Sequence, residues 1–80
     1  MKKDEIITVG DLKEIRTCTG KKVKSVDSKK DRISIYSNKT VYHIEVRNIK
    51  DDADFVRLSV PKTKVRSIED LVDFLKRSFA

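Results

Sequence analysis

The chain of 80 residues has no tryptophan and no glutamine, and it carries cysteine, histidine, proline and methionine once each. Cys18, being alone, cannot close an intrachain disulfide, so a reducing, intracellular setting is expected. One cysteine and one histidine, His43, cannot assemble a Cys/His zinc site within the chain. The two glycines, Gly10 and Gly20, exclude a glycine-rich phosphate loop, and no nucleophile motif or triad replaces it. No more than two apolar residues stand together, whereas a membrane helix needs about 20. No apolar stretch of about 7–15 residues follows Met1-Lys2-Lys3, so a secretory leader is not expected. A domain this small also has little room for an ordinary pocket of ~300–1,000 Å3. The inventory predicts a cytoplasmic protein that is not an enzyme and needs no cofactor or metal.

Charge, by contrast, is plentiful. Charged residues make up 40% of the chain, against roughly 25% in ordinary domains. The 19 Lys+Arg outnumber the 13 Asp+Glu to give a net charge of +6. Isoleucine and valine supply more than half of the apolar residues, a bias towards strands. High charge with few thermolabile residues is a thermophile's signature. Residues 1–80 read as one domain, without linker, repeat or low-complexity tract. A core of this size supplies about 3–5 kcal/mol unaided, so close packing, ion pairs or homodimerisation would supplement it.

Periodicity places the elements. Ile68, Leu71, Val72, Leu75 and Phe79 lie on one face of a helix over 67–79. Ser67 and Asp70 form a capping pair at its start, and its acids precede its basic residues as the macrodipole favours. Before it, Val56, Leu58 and Val60 alternate with Phe55, Arg57 and Ser59 in a strand that Pro61 ends. Tyr42, Ile44 and Val46 do the same within 41–47, and Ile33 and Ile35 within 32–37. The short polar link 37–40 makes these two an antiparallel hairpin. Lys21 to Asp27 is a further strand in which Val23 and Val26 break the alternation, as a bulge or frayed start would. Asp11-Leu12-Lys13-Glu14 could open a helix stopped at Gly20, but the β-branched Ile15, Thr17 and Thr19 favour extended chain. The expected fold is α+β: a curved antiparallel meander of three to five strands with the C-terminal helix packed on one face. A small β-barrel with an appended helix is the alternative.

The sheet face away from the helix is then expected to display Arg32, Tyr36, His43, Arg47, Phe55 and Arg57, with Lys24 at its margin. Arginines neutralise phosphates and Tyr36 and Phe55 stack bases, the pattern that holds single strands without sequence preference. The competing reading is a solvated face knitted by ion pairs, such as Arg47 or Arg57 with Glu45. Two basic blocks, 21–30 and 57–66, each carry +4 and leave the rest of the chain net acidic, a segregated charge footprint. Lysines in them would also blunt sheet edges. Asp51, Asp52 and Asp54 lack the spacing of a calcium loop and read as a solvated turn. The helix is net acidic and needs its apolar face for the core, so it is no major-groove reader.

These features predict a non-catalytic module for single-stranded or structured nucleic acid with little sequence specificity. Lys22, Lys24, Arg32, Arg47, Arg57, Lys62 and Lys64 would meet phosphates, and Tyr36 and Phe55 would stack. The alternative is a small protein-interaction or assembly module, accessory or viral, using a sheet edge or the apolar surface of Phe55, Phe74 and Phe79. A homodimer is compatible with both.

Overall fold

A computed structural model describes residues 6–79; Met1-Lys2-Lys3, on which the leader argument turned, lie outside them. The strands are β1 (Lys13–Glu14), β2 (Lys21–Asp27), β3 (Asp31–Ser37), β4 (Val41–Asn48) and β5 (Phe55–Pro61), followed by helix α1 (Ile68–Ser78). Short 3-10 turns occupy Val9–Asp11 and Lys62–Lys64. The five strands form one sheet in the order β1-β5-β4-β3-β2, antiparallel at every pairing. β2 to β5 are a meander, and β1 adds to its far side. The sheet is open, with β1 and β2 as its edges, and no barrel closes.

Strand alternation decides what is inside. Ile33, Ile35, Ile44 and Val60 are fully buried, and Val46 nearly so. They share one face because their registered partners do: Ile33 lies opposite Val46, and Ile35 opposite Ile44. Leu71, Val72, Phe74 and Leu75 of α1 close over this layer, and Ile7 joins the same cluster from the N-terminal side. Phe74 is therefore core, and Phe79 packs half-buried against that core. Ser67 caps the helix, its Oγ accepting the Asp70 N–H at 3.2 Å, which is one half of the expected pair. Lys76 and Arg77 stand in the last turn, complementing the macrodipole. Among the described residues no helix is long and apolar enough to cross a membrane.

The irregularity around Val23 is a bulge. Lys22 lies opposite Tyr36, whereas Lys24 lies opposite Ile35, so one extra residue sits between them. Val23 is left 44% exposed.

Residues 15–20 link opposite edges of the sheet, and this distance excludes a helix. Four strand spacings of ~4.8 Å separate the edges by roughly 19 Å. Seven extended steps from Glu14 to Lys21 reach about 23 Å, while the same steps as a helix reach about 10 Å. The link is therefore an extended strap. It ends at Gly20, whose φ of 103° lies in the left-handed region.

Two substitutions test this packing. A Cβ at Gly20 would stand 2.6 Å from both Ser37 O and Asn38 Oδ1, so Gly20→Ala should cost about 2 kcal/mol or more. Ile44→Ala should cost about 2–5 kcal/mol by opening a cavity in the middle of the core. Urea midpoints at constant slope would measure both losses.

Candidate nucleic-acid interface

The face away from α1 is built from three cross-strand rows. The first is Asp27, Arg32, Arg47 and Phe55; the second is Ser25, Ser34, Glu45 and Arg57. The third runs through Lys22, Tyr36, His43 and Ser59 to Lys13 on β1. The predicted grouping of Arg32, Tyr36, His43, Arg47, Phe55 and Arg57 is thus present, with Lys22 beside Tyr36.

The arginines on this face are engaged internally. Glu45 Oε2 accepts from Arg47 Nη2 at 2.9 Å and from Arg57 Nε at 3.0 Å. Both guanidinium carbons lie over the Phe55 ring, 4.5 and 4.4 Å from its centroid. Arg47 also donates to Asp52 O, and Arg57 to Arg16 O. Arg32 pairs with Asp27 at 3.0 Å across the β2–β3 register. The ion pairs anticipated as the competing reading are therefore formed, and the exposed Phe55 ring is already stacked by cations.

The strap covers a further part of the same face. Ile15 N–H donates to Arg57 O, and Thr19 N–H donates to His43 Nδ1 at 2.9 Å. An acceptor at Nδ1 places the ring proton of the neutral imidazole on Nε2. Asn38 Nδ2 donates to Thr19 O and holds the far end down. Cys18 lies half-buried in this segment. Its thiol is pushed up by burial, with Glu45 adding to the effect and Arg57 opposing it, so it is a weak nucleophile.

Three of the predicted phosphate contacts sit elsewhere. Lys24, displaced by the bulge, lies opposite Ile35 and so belongs to the helix side of the β2 edge rather than the aromatic face. Lys62 Nζ stands over the Tyr42 ring at 5.1 Å; Tyr42 packs against the helix-side core. Lys64 pairs with Asp11 at 3.6 Å. Neither of these last two lysines can join a surface centred on Phe55.

Among the described residues Lys13, Arg16, Lys62, Arg66 and Lys76 form no ion pair and lie dispersed over the fold, whereas seven further lysines without a carboxylate partner lie along β2 and the turns beside it. Lys21, Lys22 and Lys24 line the exposed edge strand β2 and form no ion pair there; nor do Lys29 and Lys30 in the following turn, or Lys39 and Lys50 in the neighbouring turns. Lys39 and Lys50 stand alone in sequence and join this group because the hairpin ends flank β2. The block at 21–30 was the signal in the sequence; its two neighbours carried none. Among the described residues no three His, Cys, Asp or Glu side chains come together to hold a metal ion. Asp51 instead accepts the Ala53 N–H within its own loop.

No protein-family model, curated protein or solved structure matches the chain.

Glu45→Gln removes the carboxylate that two half-buried guanidiniums share, and should cost about 1–3 kcal/mol of stability. The loss should shrink at 1 M NaCl, where screening relieves the two uncompensated charges. Denaturation at both salt concentrations measures it. A second outcome concerns acid. The Thr8 N–H, with Lys64 beyond it, holds the Asp11 carboxyl below its ordinary value of 3.8. Arg32 does the same for Asp27. A depressed folded pKa contributes stability above the unfolded value and loses it as pH falls through the folded one. Tm should therefore drop below pH 3.8, and Asp11→Asn with Asp27→Asn should flatten that part of the profile.

Proposed function

We propose that the protein is a non-catalytic nucleic-acid-binding module that grips phosphates along the β2 edge. The observation carrying this reading is the sorting of charge. Asp27 and Glu45 engage the three arginines of the aromatic face, while seven of the ten described lysines without a carboxylate partner gather on the β2 edge and the neighbouring turns, Lys13, Lys62 and Lys76 lying elsewhere. An extended β2 of seven residues offers a strip of roughly 20 Å at ~3.3 Å per residue. Hydrated ammonium groups on flexible stems suit a point-charge role against phosphate and carry little base information. Single-stranded or irregular nucleic acid with little sequence preference is the ligand class this strip fits. Tyr36, beside Lys22 in the outermost row, is the stacking residue nearest the strip. The apolar anchors of an assembly module have less support, since Phe74 is buried and Phe55 lies under two guanidiniums.

Binding should weaken steeply with salt, with log K falling by about 0.7 per log unit of salt for each phosphate neutralised on a single strand. Lys22→Gln with Lys24→Gln should reduce that slope by about 1.4, uniformly across sequences. Lys62→Gln with Lys64→Gln should leave it unchanged. Fluorescence anisotropy with labelled oligonucleotides at several salt concentrations checks both variants. No binding by the native protein at low salt would remove the proposal.

A further inference from the structure

The turns that follow β2 and β4 meet at one end of the sheet. Ile49 N–H donates to Lys30 O at 2.9 Å and ties them together. At this junction is a cleft of about 200 Å3 lined by Lys29, Lys30, Asn48, Ile49 and Lys50. That volume is below the ~300–1,000 Å3 of an ordinary small-molecule site, so a compact group is the fitting occupant.

The lining has the chemistry of an anion site. Its three lysines form no ion pair among the described residues. Asn48 Oδ1 accepts from Lys50 N at 2.8 Å and Asp51 N at 3.0 Å, which leaves its Nδ2 as the donating end. Two carboxylates adjoin the lining in sequence: Asp51 is turned into its own loop by the 3.1 Å bond from Ala53 N, and Asp31, next to Lys30 and opposite Asn48, forms no ion pair with the three lysines. Ile49, 46% exposed, supplies an apolar wall for the carbon side of an ester.

A phosphomonoester carries about −1.5 to −2 charge and three strong acceptor oxygens. That matches three ammonium groups more closely than the single charge of an internal phosphodiester. We infer that this cleft binds the terminal phosphate of a nucleic-acid strand whose backbone runs along the β2 edge. The inference rests on the nucleic-acid reading above and specifies where a strand end is held.

The test has two readouts. Inorganic phosphate added to the isotope-labelled protein should shift the backbone amides of Lys30, Ile49 and Lys50 more than those of Lys22 and Lys39. An oligonucleotide with a phosphate at its 5′ or 3′ end should bind about tenfold tighter than the same strand with hydroxyl ends, the gain expected of one charge-assisted contact. Lys30→Gln with Lys50→Gln should abolish that gain, and Lys22→Gln with Lys24→Gln should retain it. Equal affinity for phosphorylated and hydroxyl-ended strands overturns the inference, as does phosphate shifting the cleft no more than the rest of the edge. Affinity for the hydroxyl-ended strand alone judges the broader reading, so the two can fail separately.

Discussion

The contact between α1 and the isoleucine face of the sheet governs the rest of the molecule. Leu71 and Leu75 join Ile33, Ile35 and Ile44 in one core, all fully excluded from solvent. Because strand side chains alternate, burying this face commits Arg32, Ser34, Tyr36, His43, Glu45 and Arg47 to the other. It also draws Ile7 to the helix side. The chain must then turn around the β5 edge as β1 and cross the opposite face to start β2. The strap is thus a consequence of covering one side of an open sheet with both α1 and the segment around Ile7.

Arginine and lysine divide the electrostatic work by their different chemistry. A planar guanidinium can share a carboxylate and still lie on an aromatic ring, as Arg47 and Arg57 do with Glu45 and Phe55. Such a cluster stiffens a sheet face and offsets one of its two positive charges. Lysine keeps its hydration and prefers the periphery. On β2 it has two effects at once: like charges discourage edge-to-edge pairing with a second copy, and the same charges attract a polyanion.

Much of this was legible in the residues. The helix ran within one residue of its expected limits, and the hairpin, the β5 strand ending at Pro61 and the disturbance at Val23 appeared where the pattern changed. Each is a local property, set by side-chain period, a missing amide donor or a broken alternation. The pairing of Arg47 and Arg57 with Glu45 was one of two readings of the same face. Alternation could place the three on one side but could not say which charges would find one another.

Lys24 shows where local reasoning stops. One inserted residue reverses facing, and the bulge put Lys24 opposite Ile35 instead of beside Tyr36. Lys62 and Lys64 followed a strand whose neighbours were unknown, and β5 delivered them to Tyr42 and Asp11. The strap was open between helix and extended chain until the strand order separated its ends by the width of the sheet. Which residues are apolar, and at what period, settled the elements and their buried faces, because those depend on neighbours a few positions away. Which lysines stand free, and which gather at one edge, depended on strand order and register, because charges far apart in the chain meet only when the sheet is assembled.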